Sequence, residues 1–237
     1  MFKRKKNNNS TQTTLARKLI TVRNPKSVIS EQFKTIRTNI NFSMPDQDIK
    51  TIIVTSSTPG EGKSTVSSNS AVVFAQSGKK VLIVDADMRK PTAHHTFGIR
   101  NASGLSTLLT RQHSIEEVVH KSEVEGLHVI TSGPIPPNPA ELLGSKMMDQ
   151  LIEQLTALYD LIIFDAPPIL SVTDAQILSN KCEGTILVVN SGKAEKDGVL
   201  KAKEALVSSQ ANILGVILNN FVLEKDHYYY QYYGNAE

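Results

Sequence analysis

A glycine-rich segment that directly follows a buried-strand pattern is the strongest constraint on the fold of this 237-residue chain. The run Thr51-Ile-Ile-Val-Thr55 leads into Ser57-Thr-Pro-Gly-Glu-Gly-Lys-Ser64, and a helical pattern extends from Lys63 to Gln76 before Gly78 ends it. A strand, a glycine-rich turn and a helix in this order favour anion binding, because the amides at the helix start point at the anion. The alternative is a strand-to-helix turn without a ligand.

The residues of this loop predict a nucleotide site. Gly60 and Gly62 allow the backbone to close around phosphate oxygens, Lys63 is expected to reach the β- and γ-phosphates, and the Ser64 hydroxyl is placed to ligate magnesium. Ser57 stands where the common pattern has its first glycine. ATP and Mg²⁺ are therefore the expected cofactors. The predicted nucleotide contacts are Thr58, Pro59, Gly60, Glu61, Gly62, Lys63, Ser64 and Thr65.

Five other short apolar runs, separated by helical patterns, indicate a parallel β-sheet. Near-continuous apolar strands are typical of a sheet that helices cover on both faces. The sequence therefore predicts the α/β class, with three α/β/α layers, a mostly parallel sheet and a P-loop NTPase-like fold. The predicted strands are residues 80–85, 127–131, 160–165, 185–189 and 213–218.

Helices are predicted on both sides of these strands. Residues 30–42 show apolar side chains at helical spacing, with Ser30 as the expected N-cap. Asn138 and Pro139 occupy the N-cap and N1 positions of a further helix. Two more helices are predicted at residues 175–180 and 196–208.

Acidic side chains end two of the predicted strands. Asp85 and Asp87 follow one strand and Asp165 ends another, so all three are expected at the edge where open α/β sheets bind ligands. With Lys63 they form the predicted catalytic set, in which a carboxylate holds metal-bound water or takes a proton from an incoming hydroxyl. Asp87 is the favoured base and Asp85 the alternative. The predicted metal ligands are Ser64, Asp85 and Asp165.

Two of these interpretations have a structural alternative. Asp85 could cap the next helix while Asp87 is merely solvated. Asn219, at the end of the last predicted strand, is a candidate for adenine recognition, and a plain turn residue is the alternative.

The net charge of +3 is unevenly distributed. Residues 1–50 carry eleven Lys or Arg and three Asp or Glu, a net charge of +8, whereas the remainder carries −5. Residues 1–24 are predicted to be a disordered basic arm that attracts anionic lipid or only solubilises the chain. No nucleic-acid-binding pattern accompanies the arm, so no nucleic-acid partner is expected.

Neither a membrane span nor a signal peptide is indicated by the sequence. No apolar run approaches the roughly 18 residues that a span requires, and a cytoplasmic location is therefore expected. The single cysteine, Cys182, excludes an internal disulfide.

Five of the six tyrosines lie within the last ten residues. A buried strand would not place tyrosines consecutively, and no apolar alternation surrounds them. Residues 224–237 are therefore predicted to be a flexible tail. Beside a phosphate loop this cluster is interpreted as a set of phosphate acceptors, the alternative being a disordered tail without that role. The predicted phosphorylation sites are Tyr228, Tyr229, Tyr230, Tyr232 and Tyr233.

Taken together, these motifs resemble those of the bacterial tyrosine kinases of capsule and exopolysaccharide operons. The resemblance runs from about Pro25 to Gly234, and residues 25–223 are identified with the kinase domain. Residues 57–64 match the family's Walker A motif, 84–89 its A′ motif and 161–165 its Walker B motif. The resemblance implies an ATP-dependent protein-tyrosine kinase that autophosphorylates its tail and regulates polysaccharide synthesis.

The resemblance also implies partners. These are a membrane adaptor of the polysaccharide co-polymerase type, a cognate tyrosine phosphatase and a ring-shaped homo-oligomer, with attachment to the inner face of the membrane through the adaptor. The family's Glu-x-x-Arg-x-x-Arg oligomerisation motif falls on Glu31, Lys34 and Arg37. Lys34 departs from arginine and keeps the charge without its bidentate geometry.

Two other functions are compatible with parts of the sequence. A deviant-Walker ATPase of the partitioning or septum-positioning type shares the expected fold, but such proteins carry a signature lysine where this chain has Thr58. A nucleotide-binding regulatory subunit without transfer activity is the second, and it predicts an unmodified tail.

Overall fold

Seven strands form one sheet in the computed structural model, which describes residues 19–44 and 48–221. The order across the sheet is β3-β4-β2-β5-β1-β6-β7, and every neighbouring pair is parallel except β3 with β4. The strands are β1 (Thr51–Ser56), β2 (Val81–Asp85), β3 (Val119–Lys121), β4 (Leu127–Ile130), β5 (Leu161–Asp165), β6 (Gly184–Asn190) and β7 (Ile213–Asn219).

Helices lie on both faces of this sheet. In chain order they are α1 (Ile20–Arg23), α2 (Val28–Ser43), α3 (Lys63–Ala75), α4 (Ala93–Phe97), α5 (Leu105–Leu109), α6 (Ile115–Val118), α7 (Pro139–Leu143), α8 (Lys146–Leu158), α9 (Asp174–Lys181) and α10 (Lys196–Ser208). None of these helices, in the part of the chain that the structure describes, is long and apolar enough to cross a membrane.

The alternation of side chains along the buried strands produces two cores. In β1, Ile52 and Val54 pack with α1, α2 and α3, whereas Ile53 packs into the opposite core with α5 to α10. A strand between two helical layers must be apolar on both faces, which explains the near-continuous apolar runs. The three-layer α/β fold with a mostly parallel sheet is confirmed.

The packed part of the chain begins earlier than the predicted domain boundary at residue 25. Leu19 and Thr21 are buried, and the Thr21 backbone N–H and hydroxyl both donate to Asn69 Oδ1 of α3, at 3.2 and 2.9 Å. Residues 19–24 therefore belong to the folded domain. Residues 1–18 of the predicted arm and the predicted tail lie outside the described residues.

Two helix starts differ from the sequence prediction. The N-cap of α2 is Ser27, whose hydroxyl accepts from the Ser30 backbone N–H at 3.2 Å, so the prediction that Ser30 caps this helix is wrong. Ser30 instead donates to the Asn24 carbonyl at 2.6 Å inside the first turn. The helix expected from Pro139 is interrupted after one turn, because Ser145 caps a separate helix, α8.

Candidate nucleotide-binding site

Strand register brings the predicted site residues to one edge of the sheet. Strand β5 lies between β2 and β1, and Asp85 is directly opposite Asp165 in the β2–β5 pairing. The glycine-rich loop continues β1, so it leaves the same edge of the sheet as both carboxylates. This is the edge at which open parallel sheets bind ligands.

Two glycines give the loop its shape. Gly60 and Gly62 have φ values of +84° and +95°, in the left-handed region that favours glycine. A Cβ at Gly62 would also lie 2.0 Å from Asn219 Nδ2. Gly62 is the N-cap of α3, so the backbone turns there and directs the first helical amides towards the loop. The exposed rim of the loop consists of Thr58, Pro59 and Gly60.

The serine that replaces the first glycine of the common loop pattern has a partner inside the loop. The Ser57 hydroxyl donates to both carboxylate oxygens of Glu61, at 3.2 and 3.1 Å, and the Thr58 backbone N–H donates to Glu61 Oε2 at 3.2 Å. Glu61 is only 3% exposed. Its side chain therefore folds into the loop and ties one end of the loop to the other.

Lys63 lies between two of the predicted carboxylates. Its Nζ is 3.0 Å from Asp87 Oδ2, 3.4 Å from Asp165 Oδ1 and 3.4 Å from the Ser64 hydroxyl. Burial alone would lower the pKa of Lys63, but the charges of Asp165 and Asp87 outweigh burial and the pKa lies above its ordinary value. The lysine is therefore fully charged at neutral pH. The structure thus brings Lys63, Ser64, Asp87 and Asp165 together.

Asp85 is held differently from the other two carboxylates. Its Oδ2 accepts from the backbone N–H groups of Thr92 and Ala93, both at 2.9 Å, and its Oδ1 accepts from Asp87 N–H at 3.2 Å. Both oxygens are thus engaged by backbone donors, as in the helix-capping alternative. Burial, and then the charge of Asp165, raise the pKa of Asp85 to about 7, although the bonds from Ala93 and Thr92 oppose the shift.

Asp165 is the deepest of the acidic groups that Lys63 contacts. Besides the lysine, Asp165 Oδ1 accepts from the Ser67 hydroxyl at 3.3 Å, a contact that the sequence did not indicate. Burial raises the pKa of Asp165, while the charge of Lys63 and a hydrogen bond from Ser64 act against burial. The hydroxyl of Ser64 and the carboxylate of Asp165 therefore lie side by side.

The arrangement fits a magnesium ion with few protein ligands. Three carboxylates and one lysine leave excess negative charge, and the adjacent oxygens of Ser64 and Asp165 are the ligand type that Mg²⁺ prefers. The predicted ligand Asp85 fits less well, because backbone donors already occupy its oxygens. Within residues 19–44 and 48–221 no group of three His, Cys, Asp or Glu side chains is arranged to hold a metal. Substrate phosphates and water would complete the coordination, as is usual for Mg²⁺.

Asn219 contacts the loop. Its Nδ2 donates to the Glu61 carbonyl at 2.8 Å, which ties the end of β7 to the loop that follows β1. The amide nitrogen that could read adenine is therefore engaged with the protein. Thr65, also predicted to contact nucleotide, is exposed in the first turn of α3.

The fold and the loop define this chain as a P-loop nucleotide-binding protein. A family model described as an AAA domain matches residues 49–213. The chain is 52% identical over 223 residues to Tyrosine-protein kinase YwqD of Bacillus subtilis (strain 168), with 94% of each sequence covered. It belongs to the family of bacterial tyrosine-protein kinases, as its motifs predicted.

Solved structures agree with this assignment. The crystal structure of the chimerical protein CapA2B2 superposes with a TM-score of 0.85 at 46% identity, covering 87% of this chain and 91% of that one. The kinase domain of Escherichia coli tyrosine kinase ETK superposes with a TM-score of 0.81 at 34% identity, covering 87% and 82%. The prediction of a kinase with a P-loop NTPase-like fold is confirmed.

The raised pKa of Asp85 predicts a pH-dependent stability. Because its pKa is about 7 when folded and ordinarily 3.8, the folded state binds more protons than the unfolded state between these values. The free energy of unfolding contributed by this group therefore falls as pH rises from about 4 to about 7. We expect the thermal midpoint of Asp85→Asn to fall less than that of the wild type over this pH range. Glu153→Gln, an exposed carboxylate of α8, is the control, and equal slopes for wild type and Asp85→Asn would contradict the prediction.

Proposed function

We propose that this tyrosine-protein kinase transfers the γ-phosphoryl group of magnesium-bound ATP to tyrosines of its own C-terminal cluster. The observation that carries the proposal is the contact between Asn219 and the phosphate loop, because it places the last strand beside the site. The chain passes from there through Asn220 and Phe221 to the predicted tail. The proposed acceptors are Tyr228, Tyr229, Tyr230, Tyr232 and Tyr233.

Chain length makes transfer to the tail feasible. The five tyrosines lie seven to twelve residues beyond Phe221, and an extended chain spans roughly 3.3–3.6 Å per residue. The acceptors can therefore lie up to about 25–40 Å from Phe221, and transfer between subunits requires the neighbour's site to lie within this distance. A tether of this kind gives an effective concentration of roughly millimolar order. Strong sequence recognition of each tyrosine is then unnecessary, which suits five similar acceptors.

The side chains around the loop have distinct roles in the proposed transfer. The loop amides and Lys63 would bind and orient the phosphates, and a bound metal would neutralise the charge that develops on the transferred phosphoryl group. Ser64 and Asp165 are the residues that would hold this metal. The tyrosine oxygen attacks the γ-phosphorus, and the bond from that phosphorus to the β–γ bridging oxygen breaks to release ADP.

Asp87 is the proposed acceptor of the phenolic proton. Its Oδ2 faces Lys63, and its Oδ1 accepts from the Lys90 backbone N–H at 3.0 Å. The Asp87 side chain is 7% exposed, whereas Asp85 is completely buried and, within the described residues, accepts hydrogen bonds from backbone N–H groups. A tyrosine hydroxyl has an ordinary pKa of about 10, so a carboxylate placed beside it assists transfer by taking the proton.

The sixth tyrosine of the chain is a poor alternative acceptor. Tyr159 is 7% exposed, and its hydroxyl is 2.8 Å from His128 Nδ1. The residue precedes β5, so it lies at the end of the sheet opposite the phosphate loop. Burial and distance from the loop both favour the tail as the substrate.

We further propose that the kinase works with other proteins of polysaccharide synthesis. The proposed partners are a membrane adaptor of the polysaccharide co-polymerase type and a cognate tyrosine phosphatase. The adaptor would hold the kinase at the cytoplasmic face of the membrane, where the kinase regulates capsule or exopolysaccharide synthesis. The family assignment supports this proposal, and the basic residues 1–50 add an attraction for anionic lipid.

Self-association through α2 is the next part of the proposal. Glu31 and Lys34 form an exposed ion pair at 2.7 Å, and exposed pairs of this kind contribute about 0–1 kcal/mol to folding. Their charges are available to a second copy of the chain. Arg37 differs, because its Nη1 donates to the Val73 carbonyl of α3 at 2.9 Å. Arg37 therefore also stabilises the fold of its own subunit.

Two observations weigh against the rival functions. The position of the partitioning ATPases' signature lysine is occupied by Thr58, an exposed uncharged side chain. A regulatory subunit without transfer activity would not require Lys63, Asp87 and Asp165 to converge. Incubation with ATP and magnesium followed by intact-mass measurement separates these functions, because only the kinase gains tyrosine phosphates.

Replacing all five tail tyrosines with phenylalanine tests the proposed acceptor. The variant should bind ATP like the wild type and lose nearly all autophosphorylation, since Tyr159 is buried. Each phosphate adds about −1.5 to −2 charges beside Asp87 and Asp165, so the phosphorylated wild-type tail should leave the site and the assembly should weaken. The phenylalanine variant gains no phosphate on its tail, so ATP should no longer dissociate its assembly. Intact mass and sedimentation measure both effects. Lys63→Met is the inactive control, and wild-type phosphotyrosine levels in the phenylalanine variant would contradict the proposal.

Asparagine substitutions separate the roles of the two neighbouring carboxylates. Asp87→Asn should slow transfer by about 10²-fold or more, the usual contribution of a general base, while ATP affinity changes by less than about tenfold. Asp85→Asn should lower the thermal midpoint more than Asp87→Asn, because an amide nitrogen cannot accept from the backbone donors at Asp85. Quenched-flow phosphotyrosine measurements and thermal unfolding provide the two readouts. Normal transfer by Asp87→Asn would exclude Asp87 as the base.

A double variant of α2 tests self-association. Glu31→Ala combined with Lys34→Ala should convert a large assembly into smaller species in sedimentation, while the retained Arg37 preserves the contact with α3. Gln32→Ala, an exposed neighbour on the same helix, is the control and should sediment like the wild type. Identical profiles for the double variant and the wild type would leave the Glu31–Lys34 pair without a role in assembly.

A further inference from the structure

An ion pair outside the phosphate loop connects the two segments that carry the acidic residues of the site. The Arg89 guanidinium contacts Asp174 with both arms of its fork: Nε is 3.0 Å from Oδ2 and Nη2 is 3.0 Å from Oδ1. Asp174 is completely buried, whereas the Arg89 side chain is 40% exposed. The pair is therefore a bidentate contact in which the Asp174 carboxylate is the buried partner.

The positions of the two partners explain what the contact holds in place. Arg89 lies two residues after Asp87, in the segment that leaves β2. Asp174 is the first residue of α9, at the end of the segment that begins after Asp165 and β5. Both segments start at the same edge of the sheet, where the Ala86 backbone N–H donates to the Asp165 carbonyl at 2.9 Å. The ion pair is a second and more distant tie between these segments.

Each segment contributes one of the two carboxylates that contact Lys63. Asp87 Oδ2 and Asp165 Oδ1 approach the same Nζ, so their separation depends on how the segments sit relative to each other. Asp165 is fixed by the end of a central strand. Asp87 lies beyond the end of β2, so the position from which its side chain reaches Lys63 depends on how the segment after β2 is held.

We infer that Asp174 and Arg89 are positioning residues for phosphoryl transfer, holding Asp87 in place against Lys63. The inference rests on the proposed function. Neither residue touches the lysine, so the ion pair acts by holding the segment after β2, and the Arg89 charge also attracts Asp87. The planar fork of Arg89 fixes the direction as well as the distance of the contact, which a lysine in its place would not do.

Two conservative substitutions and their combination test the inference. Arg89→Lys keeps the positive charge and loses the fork, and Asp174→Asn keeps the shape and loses the negative charge. In the full-length protein each should lower kcat by about tenfold to a hundredfold, the range expected for a misplaced reacting group. The dissociation constant for magnesium-ATP should change by less than about threefold, because the phosphate loop is untouched. The double variant should be no slower than the slower single variant, since one contact is lost in all three.

A residue in the same segment provides the matched control. Lys90 is exposed, and its contact with the site is made by its backbone N–H, so Lys90→Gln removes one positive charge and leaves that contact intact. It should keep kcat within about twofold of the wild type. Thermal midpoints are measured for every variant, and Arg89→Lys decides the matter if Asp174→Asn does not fold.

The outcomes separate this inference from the proposed function. ADP release reports phosphoryl transfer to tyrosine or to water, so kcat can be compared among the variants even if the wild type makes no phosphotyrosine. That result would count against the tail proposal alone. A fall in kcat without loss of ATP affinity supports the positioning role. The inference is overturned if both single variants keep kcat within about twofold, if the nucleotide affinity falls while kcat is kept, or if Lys90→Gln is equally slow.

Discussion

Compensation of buried negative charge by Lys63 is the interaction on which the site depends. Asp85, Asp87 and Asp165 are all at most 5% exposed, and removing ionised carboxylates from water is costly unless they are paired. Lys63 contacts two of them and backbone N–H groups stabilise the third. The same lysine is the residue expected to bind the nucleotide phosphates. Binding of the phosphates therefore competes with Asp87 and Asp165 for the Lys63 ammonium group, and the excess acidity explains why a divalent metal suits the site.

The phosphate loop depends on contacts from outside the common motif. The Glu61 side chain crosses the loop and accepts hydrogen bonds from Ser57 and Thr58, and Asn219 contacts the loop from the end of β7. In the first contact, Ser57 stands where the common pattern has a flexible glycine, and its hydroxyl is hydrogen-bonded to Glu61. The second occupies the space that a side chain at position 62 would need, so the glycine there serves the packing as well as the turn. Loop shape is thus determined by the tertiary structure together with the glycines.

The sequence predicted the sheet and most of the site because these features have strong local signals. Buried parallel strands read as continuous apolar runs, and the carboxylates follow those runs directly, so topology alone brings them together. The short strand β3 and the short helices near it were missed because three to five residues carry no readable period. Asp174 gave no signal either, since its partner Arg89 is 85 residues away in the chain. Similarly, the capping role of Asp85 depends on the amides of Thr92 and Ala93, which only the folded backbone places.

The hydrogen bond between Asn219 and Glu61 has a thermodynamic consequence for the kinase. It joins the phosphate loop to the end of β7, the strand from which the tyrosine-bearing segment continues, so movement of the loop away from this strand would break the contact. Coupling between two sites is reciprocal, so under the proposed function whatever factor the nucleotide applied to docking of the tail, docking of the tail would apply to nucleotide affinity. Capture of the tail by another protein would therefore change how tightly the kinase holds its nucleotide. Under the proposed function, the tail would then act as a regulator of the enzyme's nucleotide state even before any phosphate had been added to it.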